Sequence, residues 1–126
     1  MSEGKGCLSG SLTAATTTTG GDALNLANPE GAALLITRFI LRVTTEATGA
    51  ANVDAGVAAT GTSNDELLDG VDVGSAAIIC DNIEDCIDGN VAQACVEWGS
   101  DEYVTVTPSA TLAGLVGTYY IEYVRA

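Results

Sequence analysis

The chain has 126 residues, enough for one domain with a single core but not for two. Seventeen acids face four bases, so the net charge is −13 at pH 7, and no Lys or Arg occurs between Arg42 and Arg125. So few cations can neither displace counterions from nucleic-acid phosphates nor hold anionic lipid, so neither nucleic acid nor a membrane is an expected partner. The acidity suits solubility at high local density, and equally a salt-loving host. No apolar run approaches the ~18 residues that cross a bilayer. The opening MSEGKGCLSG lacks the apolar centre of a signal peptide, and no hydrophobic segment precedes Cys7 as in a lipoprotein. The expected location is a cytoplasm, or a particle assembled in one.

In chain order, residues 1–10 are rich in Gly and Ser and read as a flexible arm, with the folded domain running from 11 to 126. Ser11 to Thr19 is Thr-rich and β-prone, and Gly20-Gly21-Asp22 supplies a turn. Ala23 to Ala27 alternates as a short strand, and Asn28-Pro29-Glu30-Gly31 is a turn with Pro in its second position. Ala33 to Thr45, ALLITRFILRVTT, is the organising stretch: thirteen residues without Gly, Pro or an acid, rich in Ile, Thr, Phe and Val. Strict alternation puts Leu35, Thr37, Phe39, Leu41 and Val43 on a core face. The other face then carries Leu34, Ile36, Arg38, Ile40 and Arg42. That second face mixes aliphatics with two of the four bases, so it reads as packed against a second subunit or an acidic loop.

Beyond a break at Thr48–Asn52, Val53 to Ala59 resumes period two, with Gly56 marking a bulge or a close approach. Ser63 and Glu66 match a capping box before Leu67-Leu68, with Gly70 placed to stop a single helical turn. Val71 to Ile79 is apolar around Gly74, and Cys80 to Gly99 is irregular. Within it Asn90 either caps a short helix or precedes a strand ending at Trp98, and the strand is the reading adopted here. Tyr103 to Thr107 alternates until Pro108, and Thr118 to Arg125 is a closing aromatic strand. Six to eight strands with turn signals at short intervals predict an all-β chain: a single-domain β-sandwich, jelly-roll-like because its loops are of unequal length.

Chemistry-bearing patterns are sparse. The chain has no His, which removes the usual general base and the commonest metal ligand. No triad and no glycine fingerprint is visible, so neither enzymatic activity nor a cofactor is expected. The acidic run Asp81–Gly89 does not keep the alternate spacing of a calcium loop and reads as a solvated surface, with a weak cation site as the alternative. Cys7, Cys80, Cys86 and Cys95 form no CxxC pair. A local disulfide within 80–95, leaving one cysteine to meet Cys7 of the same or another chain, stands beside free buried thiols. Arg38 and Arg42, roughly 13 Å apart along the strand, are expected either to lay their stems on apolar surface or to pair with Asp81, Glu84 or Asp85 of an adjacent subunit. Ile36, Arg38, Ile40 and Arg42 are thus the candidate contact with another subunit or with a larger particle.

Four phrases carry a resemblance: GGDALNLANPEGA, LLITRFILRVTTEATGAANVDAGVAA, NDELLDGVDVGSAA and WGSDEYVTVTPSATLAGLVGTYYIEYVR. With the Thr-rich start they extend it over Ser9 to Ala126. On them the chain resembles the capsid decoration (cement) or head-fibre proteins of tailed bacteriophages. The Cys80–Cys95 segment departs most from that type. The resemblance implies a β-sandwich subunit, often a homotrimer, that sits on the capsid exterior, binds the major capsid protein and is made in the host cytoplasm. Two other readings follow different features. A glycan- or receptor-binding fibre domain would use Trp98, Tyr103, Tyr119, Tyr120, Tyr123 or Phe39, and a coat or filament subunit would polymerise alone.

Overall fold

A computed structural model describes residues 5–59, 62–83 and 94–126, and these form nine strands with no helix among them. The strands are β1 (Lys5–Ser11), β2 (Leu24–Ala27), β3 (Leu34–Thr45), β4 (Asn52–Ala58), β5 (Leu68–Asp72), β6 (Ile78–Asp81), β7 (Val96–Trp98), β8 (Tyr103–Pro108) and β9 (Val116–Arg125). Sheet A runs β1-β9-β3-β6, with β7 also on β3, and sheet B runs β2-β8-β4-β5. The all-β sandwich expected from the sequence is the observed architecture. Every pairing is antiparallel, and early strands pair with late ones: β1 with β9, β2 with β8, β3 with β6 and β7, β4 with β5. The chain is therefore one long hairpin bent over on itself, and the β3–β9 and β4–β8 ladders close the two sheets.

The core lies between the sheets. Sheet A contributes Leu34, Ile36, Phe39, Leu41, Val43, Trp98 and Ile121, and sheet B contributes Val53, Leu68, Val71, Val104 and Val106. Strand β3 starts one residue later than the predicted Ala33 and ends at Thr45 as expected, but its faces differ from strict alternation. Leu34 and Ile36 point inward, and so do Phe39, Leu41 and Val43. The two sets differ in parity because the ladder to β9 shifts between Ile36 and Arg38. Thr37 is the extra residue of this β-bulge. It donates its hydroxyl to the Glu122 carbonyl at 3.3 Å. Asn82 fixes the other edge, its Oδ1 accepting the Phe39 N–H at 2.7 Å and its own N–H donating to the Phe39 carbonyl.

Three local expectations are corrected. Residues 5–10, read as part of a flexible arm, belong to β1, which pairs with β9 along all seven of its residues. The Gly residues there make room for rings: a Cβ on Gly6 would stand 2.2 Å from Tyr123, and one on Gly10 2.7 Å from the Tyr119 hydroxyl. The Thr-rich stretch after Ser11 forms no strand, because Asp22 captures it locally, accepting from the Thr17 hydroxyl and from the Thr19 N–H. The proposed capping box at Ser63–Glu66 starts no helix; Glu66 Oε1 accepts the Val57 N–H at 3.3 Å, and Leu68 opens β5. Asn64 donates to the Val57 carbonyl, so this loop lies on Gly56, where a Cβ would meet Asn64 at 2.7 Å. The close approach expected at Gly56 is thus present. The helix alternative at Asn90 lies outside the described residues.

Candidate interaction face

The outer faces of the two sheets differ. On sheet B the outward-facing Thr105, Thr107 and Ala58 are all buried. Thr107 Oγ1 accepts the Gly21 N–H, and the Asn64–Glu66 loop lies on Gly56, so the chain's own loops cover that sheet. Among the described residues no loop covers the centre of sheet A. Leu35, Ile40, Tyr120 and Val124 are half-buried there, while Ile79 is 69% and Val116 57% exposed.

Strand register arranges this face in rows. Lys5, Val124, Leu35 and Glu97 stand side by side across β1, β9, β3 and β7. The next outward row is Cys7, Glu122 and Arg38, then Ser9, Tyr120, Ile40 and Asp81, then Ser11, Thr118, Arg42 and Ile79. Lys5, Arg38 and Arg42 are three of the chain's four bases, and the fourth, Arg125, ends the same sheet. Grooves of about 510 Å³, beside Lys5, Cys7, Thr37 and Glu122, and about 490 Å³, beside Arg42, Thr44 and Ile79, flank the centre of the face.

Of the four residues singled out in β3, Arg38, Ile40 and Arg42 lie on this face. Ile36 does not; the bulge at Thr37 turns it into the core, where it is fully buried. Arg38 pairs with Asp81, as its sequence context predicts, but within one chain. Its Nη2 and Nε donate to Asp81 Oδ2 at 2.6 and 3.1 Å because β6 lies beside β3. The Arg is half-exposed and the carboxylate buried. Asp81 Oδ1 also accepts the Ile83 N–H, so this carboxylate is engaged on both oxygens. Arg42 has no carboxylate within ion-pair distance among the described residues. Hydrogen bonding to Thr118, and then to Arg42, holds the Tyr120 phenol below its usual range. Glu84, Asp85 and the rest of the acidic run lie outside the described residues.

The edge of the sandwich near Trp98 is tied by polar contacts rather than left open. Asn28 Oδ1 accepts the N–H groups of Glu30 and Gly31, and its Nδ2 donates to the carbonyls of Ala32, Trp98 and Gly99. Glu30 accepts from Arg125 Nε at 2.7 Å and from the Tyr123 hydroxyl at 3.0 Å. The Arg125 hydrogen bond holds the Glu30 carboxyl below the usual range. Burial first, and then Glu30, push the Tyr123 phenol up. Trp98 is fully buried, edge-on to Tyr123 with ring centroids 6.3 Å apart. Phe39, Trp98, Tyr119 and Tyr123 are all buried, so of the aromatics expected for a glycan platform only Tyr103 and Tyr120 reach the surface.

Cys7 and Cys95 are exposed free thiols, Cys80 is buried on β6, and Cys86 lies outside the described residues. Strand β1 is at one edge of sheet A, and β6 and β7 are at the other. Three strand spacings, about 14 Å, separate them. That exceeds the reach of a disulfide, so Cys7 cannot meet Cys80 or Cys95 of its own chain. The residues sequence reasoning missed on this face are Lys5, Glu97 and Glu122, while Tyr120 enters it only as an aromatic of a glycan platform. The alternation Tyr120, Glu122, Val124 in the last strand is the signal that places Tyr120 and Glu122 there.

No protein-family model matches this chain, and no curated protein does. Among solved structures, it is similar to a chain from the capsid of Ralstonia phage GP4. The TM-score is 0.56 at 18% identity, over 97% of this chain and 84% of the other. The likeness is one of fold.

Proposed function

We propose that this chain is a structural, non-enzymatic component of a bacteriophage virion: a decoration (cement) protein that binds the major capsid protein on the exterior of the shell and stabilises the particle. The observation that carries this reading is the fold likeness to a phage capsid chain, which spans 97% of this chain and 84% of the other. The connectivity supports it too. A long hairpin folded so that early strands pair with late ones is the plan of a jelly roll, an architecture widely used in viral capsids. The surfaces agree with the role: among the described residues sheet A keeps an open face for contact, while the net charge of −13 keeps decorated particles apart. Many equivalent copies on one shell turn modest contacts into firm attachment. We read the cysteine-bearing segment as local covalent reinforcement. Cys80 counts among the bonded sulfurs while Cys7 and Cys95 stay free.

The test is to add the purified chain to capsids that lack it. Saturable binding, with raised resistance of those capsids to heat or osmotic shock, is the expected result. Capsids that neither bind the chain nor gain resistance contradict the proposal.

A further inference from the structure

A molecule of net charge −13 repels its own copies unless they meet through a surface with no net charge. Among the described residues the outer face of sheet A is such a surface: Lys5, Arg38 and Arg42 are balanced there by Asp81, Glu97 and Glu122. It is also, among the described residues, the face of the sandwich that no loop covers, with Leu35, Ile40, Tyr120 and Val124 half-buried at its centre. A uniformly acidic or basic partner would call for a face of one sign, and this one carries both. We propose that this face binds a second copy of the chain, sheet against sheet, about a two-fold axis running parallel to the strands between β3 and β9.

The register dictates that axis. Rotation about it exchanges β9 with β3 and β1 with the β6–β7 edge, while each row keeps its level. Glu122 of one copy then faces Arg38 of the other, and Lys5 faces Glu97. In the same rows Val124 faces Leu35 and Tyr120 faces Ile40, so apolar groups meet at the centre. Each contact occurs twice, as an isologous interface requires. No like charges are opposed: Thr118 faces Arg42, and Ser9 faces Asp81. The other in-plane two-fold, perpendicular to the strands through the Ile40–Tyr120 row, would set Arg38 against Arg42 and is disfavoured. Face-to-face packing of two twisted sheets about 10 Å apart brings these rows into side-chain reach. A homotrimer, which the sequence resemblance implies, would need two different complementary faces, whereas this face complements itself.

The inference is independent of the capsid reading, because it is tested on the purified chain. Sedimentation equilibrium should give a dimer of the 12.7 kDa chain. Lys5→Glu and Glu97→Lys, each altering both copies of one contact, should each raise the dissociation constant by about tenfold at low salt. Combined in one chain they should restore it, because the pair is re-formed with its signs exchanged. Ile40→Asp should give monomers with an unchanged circular dichroism spectrum. A monomeric or trimeric wild type overturns the proposal. So does a dimer that Ile40→Asp leaves intact, or a double exchange that fails to rescue. A wild-type monomer whose binding to bare capsids is lost on Ile40→Asp would assign the face to the shell instead.

Discussion

Deletion of Thr37 separates the bulge account of β3 from a simple alternating strand. In the β9 ladder Ile36 faces Tyr123 and Arg38 faces Glu122, adjacent partners with Thr37 as the surplus residue. Without it, Leu34, Ile36, Phe39, Leu41 and Val43 would alternate inward without interruption, and the core would keep all five. The loss is the long Thr37–Glu122 hydrogen bond and a one-residue adjustment between the β6 and β7 pairings, about 1–3 kcal/mol in all. Deletion of Ile40, three positions on, has the opposite effect. Leu41 and Val43, both buried, would turn outward at about 1.5–3 kcal/mol each. Arg42 would turn into the core, where an unpaired charge costs several kcal/mol more, so the sum approaches the whole stability of a small domain, about 5–15 kcal/mol. Urea titration followed by the fluorescence of the single, buried Trp98 distinguishes the two. The Thr37 deletion should unfold cooperatively at a reduced midpoint, and the Ile40 deletion should show no folded baseline. A Thr37 deletion already unfolded in water, or two variants of equal stability, would refute the register assigned here.

Other outcomes follow from single contacts. Asn82→Ala leaves the Phe39 N–H without its acceptor at a buried site and should cost about 1–3 kcal/mol in the same titration. Gly6→Ala places a methyl on the Tyr123 ring, which Glu30 and Trp98 hold in place, and should loosen β1 from β9. Hydrogen exchange should then rise in β1 while β4 and β8 keep their protection. The Glu30 carboxyl is held below its ordinary 4.5 by Arg125, so its stabilising effect is complete above that value and is lost as the pH falls through the lower folded value. The stability difference between wild type and Glu30→Gln should therefore shrink as the pH drops below about 4.5, measured by urea midpoints at matched pH.

Much of the fold was legible because its signals are local. The place of β3 to within a residue, the Asn28–Gly31 turn, and the strands ending at Trp98 and Pro108 all follow from alternation and turn residues. What escaped depends on partners distant in sequence. A bulge leaves no mark on a period-two pattern, so alternation alone puts Ile36 outside although it is in the core. Gly6 and Gly10 look like flexibility until Tyr123 and Tyr119 are seen beneath them. Glu66 fits a cap motif, yet a backbone N–H from β4 claims its carboxylate. Arg38 does pair with Asp81, but within its own chain and not with an adjacent subunit as the sequence reading expects. Only the β3–β6 pairing makes the bond internal.

The most direct test of the capsid role is electron cryomicroscopy of the intact virion. The account predicts density for this sandwich on the outside of the shell, in contact with the major capsid protein. Density confined to the shell interior or to a fibre tip, or a shell that contains no copy of the chain, would contradict it.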